Sequence, residues 1–93
     1  MASGSTLKLP EEISIANVNE WKGKLVDFMS EPSPYTLDGS ELQRLDTAAI
    51  QLLLAFTTKL GSQEKDFSWQ SPSPALLKTA DLLGLKEALS IKN

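Results

Sequence analysis

Short β-type runs alternate with helical-period segments along this chain, and that order restricts the fold more than any other feature. Thr6–Leu9 reads as a strand ended by Pro10. Ile15, Val18, Trp21, Leu25, Phe28 and Met29 then recur at helical spacing. With Ser14 in the N-cap position, they predict a helix over about 15–29. Pro34–Leu37 is a short β-type run cut off by Asp38-Gly39. From Ala48 a broad apolar run reaches Leu60, with Asp46 or Thr47 as its cap and Gly61 as its stop. A helix apolar on so many sides must pack centrally, so Ile50, Leu53 and Leu54 are expected in the core. Asp66–Gln70 reads as a strand with Phe67 and Trp69 on one face.

Ser73-Pro74 is a helix-start signature, a cap followed by proline at the first helical position. Leu76, Leu77, Ala80 and Leu83 give that helix a buried stripe, and Gly84 ends it. Lys86–Ser90 is expected as a short last helix. A further strand near Glu12–Ser14 would pair with the first.

Strands separated by helices pair in parallel through right-handed crossovers. The expected fold is therefore α/β: a small mixed, largely parallel sheet with helices packed mainly on one face. At 93 residues the chain makes one domain. Residues 6–91 are expected to form it, with Met1–Ser5 disordered or left over from expression.

Composition removes several classes of function. Apolar residues make up 41% and charged residues 23%, an ordinary globular balance. The net charge is −3 and no basic stripe is visible, which argues against a nucleic-acid partner. There is no Cys, hence no disulfide and no thiol catalysis, and no His, the commonest general base and metal ligand. No apolar run approaches the ~20 residues that span a bilayer. The start has no signal-peptide core, so the expected location is the cytoplasm, without membrane insertion.

Catalytic sites need converging groups. Glu11-Glu12, Asp81 and Glu87 have no motif spacing and read as solvated charges. Gly39 and Gly61 are isolated, so no phosphate-binding loop is formed. No catalytic residue, metal or cofactor is expected. Trp21, Phe28 and Trp69 could make an aromatic binding surface, but their spacing favours core packing. Leu82, Leu85 and Leu89 could make a partner-facing patch, although filling the domain's own core is the simpler use.

Asp46-Thr47 differs from these, because there a polar connector meets an apolar helix. The first-turn N–H groups point outward and carry partial positive charge. A hydroxyl at that position caps the helix or, if exposed, presents itself to a kinase.

The run Leu37-Asp-Gly-Ser-Glu-Leu-Gln-Arg-Leu-Asp-Thr-Ala-Ala-Ile50 resembles the central signature of STAS domains, a family that includes anti-sigma factor antagonists. In that pattern a strand ends in Asp, and Asp-Ser/Thr-x-Gly-Leu opens a helix. Asp38 falls on the strand-end Asp, and Thr47 on the hydroxyl that family kinases phosphorylate. Phe67-Ser-Trp69, the Ser-Pro helix start and Leu82-Leu-Gly-Leu85 resemble the family's last strand and closing helices. Ala49 stands where the family has glycine, and its methyl is expected to affect how closely a kinase loop approaches Thr47.

The Asp-Thr form is similar to single-domain STAS proteins of chemotaxis gene clusters and to the small subunit of a bacterial phospholipid-transport ATPase. The resemblance implies a non-enzymatic bacterial signalling module, anti-sigma-antagonist-like, with Thr47 as candidate phosphoacceptor. Asp38, Ser40, Arg44, Asp46, Thr47, Ala48 and Gln51 would form its partner-binding surface. The partner would be an anti-sigma factor or serine-kinase-like protein, a chemotaxis signalling protein, or a transporter ATPase.

Overall fold

The computed structural model describes residues 4–91. Its elements are β1 (Ser5–Lys8), β2 (Glu12–Ile13), α1 (Val18–Phe28), β3 (Tyr35–Asp38), β4 (Arg44–Leu45), α2 (Thr47–Ser62), β5 (Phe67–Gln70) and α3 (Pro74–Leu82). The strands form a three-stranded sheet in the order β1-β3-β5 and a two-stranded sheet, β2-β4. Each described pairing is parallel.

Register explains the packing. Leu7, Leu37 and Trp69 lie in line across the main sheet, as do Ser5, Tyr35 and Phe67. Side chains alternate between faces along a strand. One face therefore carries these residues toward the helices, and the other carries Thr6, Thr36 and Ser68. Leu37, Leu53 and Leu76 are fully buried at the centre of the core. Phe28 packs against Tyr35 and Phe56, and Phe56 against Phe67. Trp21 and Phe28 are buried and Trp69 is half-buried, so the aromatic residues belong to the core.

Several expectations are corrected. The strand at Glu12–Ile13 pairs with Arg44–Leu45 and not with β1. Pro10 has no N–H to continue the ladder with β3, which closes at the bond from Leu9 N–H to the Asp38 carbonyl. The chain then turns to the β3–α2 connector, where the Glu11 carbonyl accepts from the Gln43 and Arg44 amides. Helix α1 starts at Val18, three residues later than the apolar spacing predicts. Ser14 caps only a turn, and the Asn17 side chain bonds back to the Ser14 amide and the Glu12 carbonyl. Ile15 consequently leaves the helical face and is 76% exposed.

Helix α2 runs through Gly61 to Ser62. It stops where Glu64 takes φ 58° and the Lys65 amide bonds the Leu60 carbonyl. That is the left-handed stop usually given to glycine. Lys86–Ser90 forms turns rather than a helix, and Leu89 anchors them, fully buried. The Leu89 carbonyl accepts from Trp69 Nε1 at 2.8 Å. Ser73 caps α3 as expected, accepting from the Leu76 amide while its hydroxyl donates to the Leu42 carbonyl. Ser5, expected to be disordered, opens β1, and Met1–Ser3 lie outside the described residues.

Candidate functional site

Parallel β-α units bring strand C-termini and helix N-termini to the same edge of the domain. The connector from β3 through β4 into α2 lies along that edge. Asp38 ends β3, and its Oδ1 accepts from the Ser40 amide at 3.0 Å. That bond, followed by one with the Ser40 hydroxyl, holds the Asp38 carboxyl below the usual carboxylate range. Lys8 pairs with Glu41 at 3.0 Å, an exposed contact worth little on its own. Arg44, at 3.9 Å from Glu12, spans the two short strands on the surface.

Asp46 is the cap of α2, and it uses both oxygens. Oδ1 accepts from the Ala49 amide at 3.1 Å, the bond expected of an N-cap. Oδ2 accepts from the Ile15 amide at 3.0 Å, thirty-one positions back in the chain. The Ile15 amide first, and the Ala49 amide second, hold this carboxyl below its ordinary range. Asp46 therefore fixes the start of α2 and pins the loop that leads into α1.

Thr47 is the first residue of α2. It is exposed, and its hydroxyl makes no hydrogen bond among the described residues. It is therefore not the cap, and the alternative left open by the residue pattern is resolved in favour of Asp46. Ala48 is half-buried and Gln51 is exposed. Ala49 is fully buried, so its methyl points into the core and does not crowd the surface beside Thr47.

Thr47 also borders a depression of about 240 Å³ lined by Leu45, Asp46, Ile50, Thr79, Leu82 and Leu83. Leu82 is 75% exposed and Leu83 53%. The apolar spacing placed Leu83 in the buried stripe of α3. The helix ends at Leu82, however, and Gly84 at φ 68° redirects the chain, leaving both leucines outside. Of the suggested patch Leu82, Leu85 and Leu89, only Leu82 is exposed, because Leu85 is half-buried and Leu89 is in the core. Ile15 and Leu83 are the site neighbours that the sequence pattern hid.

Asp46, Thr47, Ala48 and Gln51 thus lie together at the helix start. Asp38 and Ser40 make a separate turn beside Lys8 and Glu41, and no hydrogen bond or ion pair among the described residues joins them to Thr47. No three carboxylates among the described residues converge into a metal site.

The family described as "Mlab, STAS domain" matches residues 2–91. The chain belongs to the STAS-domain family. No curated protein matches the chain. In this STAS domain Asp38 ends β3, Asp46 caps α2 and Thr47 opens it. No helix among the described residues is long and apolar enough to cross a membrane. The family assigns the chain, in general terms, to regulatory protein-interaction modules.

Proposed function

We propose that this STAS domain is a non-enzymatic binding module, anti-sigma-antagonist-like, in bacterial partner-switching or chemotaxis-type signalling. Its partner docks across the start of α2. The observation that carries the reading is Thr47, whose exposed hydroxyl makes no hydrogen bond among the described residues, beside the exposed leucines Leu82 and Leu83. Apolar anchors around a polar centre are what a protein interface uses. Phosphorylation of Thr47 would place about two negative charges beside the Asp46 carboxylate. The first-turn amides tolerate such charge on this chain, but a partner seated on a neutral hydroxyl would be repelled. A second reading is the small cytoplasmic STAS subunit of an ABC-type phospholipid transporter, bound to its ATPase through the same surface. It rests on the Asp46-Thr47 pair, a form similar to that subunit as well as to the single-domain STAS proteins of chemotaxis gene clusters.

Affinity capture from the native cell extract tests the proposal with three baits: wild type, Thr47→Glu and Leu82→Glu. One partner should be held by wild type and released about ten- to hundredfold more readily by each variant. A kinase-like anti-sigma factor or chemotaxis protein would support the first reading, and a transporter ATPase the second. Equal retention by all three baits would refute docking at this surface.

A further inference from the structure

Helices α1 and α2 are both crossovers between parallel neighbours in the order β1-β3-β5, so they run side by side in the same direction. Phe28 and Phe56 stack with centroids 6.3 Å apart, which sets the two helices level at that point. Between them is an open groove of about 330 Å³, walled by Leu25, Val26, Met29, Leu52, Ala55 and Phe56. Val26 is 57% exposed within it.

The polar groups lining the groove are two lysines, Lys22 and Lys59. Among the described residues no carboxylate lines it and neither lysine is in an ion pair, whereas Lys8, Lys24 and Arg44 are. In a chain of net charge −3 this apolar trough has a positive rim. Lys22 lies six positions before Phe28, and Lys59 three positions after Phe56. The two stems therefore leave the helices roughly 14 Å apart along the axis.

We propose that this groove docks an amphipathic helix of a protein partner, with its apolar stripe seated between α1 and α2 and an acidic residue at each end facing Lys22 and Lys59. A trough between two parallel helices takes a third rod, and helix-in-groove recognition reads anchors at i, i+3, i+4 and i+7. A cation at each end selects a ligand charged at both ends. A single-headed amphiphile would satisfy one lysine and leave the other idle. Met29, unbranched and polarisable, adapts to the incoming side chains. The groove shares no residue with the depression beside Thr47, so the two surfaces are independent.

The test is an NMR titration of the isotope-labelled full chain with a designed helical peptide. The peptide carries two glutamates eleven positions apart, which share a helix face, with leucines between them at i+3, i+4 and i+7 from the first. Saturable shifts should appear at the amides of Leu25, Val26, Met29, Leu52 and Ala55. A peptide with lysines in place of the glutamates should bind at least about tenfold more weakly. The exposed double variant Lys22→Glu/Lys59→Glu should reverse that preference. Thr47→Glu should leave it unchanged, which separates this surface from the proposed switch. Absent shifts, equal binding of both peptides, or shifts confined to Thr47, Leu82 and Leu83 would overturn the proposal. Tighter occupation of the groove by dodecanoate than by the acidic peptide would also overturn it.

Discussion

Leu53 and Leu54 are adjacent on α2 and identical in chemistry, yet the fold treats them differently. Leu53 is fully buried in the core, whereas Leu54 is half-buried and borders a shallow surface depression with Gln51 and Thr58. Leu53→Ala removes three buried carbon groups, worth about 2.4 kcal/mol at roughly 0.8 kcal/mol each. A residual cavity of about 50 Å³ adds about 1.2 kcal/mol at ~24 cal/mol per Å³. The expected loss is therefore about 3–4 kcal/mol, within the usual span for buried leucine truncations. Leu54→Ala should lose about 1 kcal/mol, because part of the side chain is already in water. Urea unfolding followed by the fluorescence of Trp21 and Trp69 measures both. With a slope of roughly 1 kcal/mol per molar, Leu53→Ala should lower the midpoint by about 3–4 M. Losses equal within about 0.5 kcal/mol would mean that α2 is rotated from the orientation described, and the placement of Thr47 would fall with it.

Thr47→Ala should leave unfolding free energy within about 0.5 kcal/mol of wild type, because the threonine hydroxyl makes no hydrogen bond among the described residues. Asp46→Ala should lower the melting temperature measurably and speed exchange of the Ile15 amide, and an unchanged Ile15 exchange rate would deny the bond between them. On the acid side, Asp46 and Asp38 have folded pKa values below their ordinary ones, so their stabilisation is complete above about pH 4 and is lost as pH falls through the depressed values. Melting temperature should therefore drop on acidification more steeply in wild type than in an Asp46→Asn/Asp38→Asn variant, and parallel curves would contradict this. Glu64→Gly should stabilise the domain by roughly 0.5–1 kcal/mol by relieving a left-handed backbone that glycine adopts freely, as read from the same urea curves.

The core elements could be read from the residues because their local signals and tertiary roles agree. The apolar period of Ile50, Leu53, Phe56 and Leu60 marks the buried side of α2 directly. Ser73-Pro74 marks the start of α3, where the Ser73 hydroxyl is buried and bonded on both sides. The site was less legible, since its neighbours come from distant segments whose local pattern points elsewhere. Ile15 fits the helical spacing of α1, but the Asp46 carboxylate holds its amide and the chain turns before the helix begins. Leu83 fits the spacing of α3, but the helix stops one residue earlier. Spacing reports which face a residue would occupy if the helix continued, and it carries no information about a carboxylate thirty-one positions away. The pairing of β2 with β4 was hidden for the same reason, because two residues of strand carry too little pattern to choose a partner.

The bonding of Asp46 also bears on what Thr47 can do. A carboxylate beside a hydroxyl invites the idea of a base that activates a nucleophile. Here both carboxylate oxygens accept from backbone amides, and those bonds favour the charged form and weaken it as a proton acceptor. The chain has no His or Cys to take the role, and among the described residues no other ionisable side chain lines the depression beside Thr47. Under the proposed function this hydroxyl is acted on by a partner and does not itself catalyse. If a phosphoryl group reaches Thr47, the base that removes its proton must come from the partner. The two amides that lock Asp46 then keep the loop carrying Ile15 and the first turn of α2 in place while that partner docks. On this reading Asp46 acts as a positioning residue. Its replacement should loosen partner binding through the displaced Ile15 loop, even where the Thr47 hydroxyl is intact.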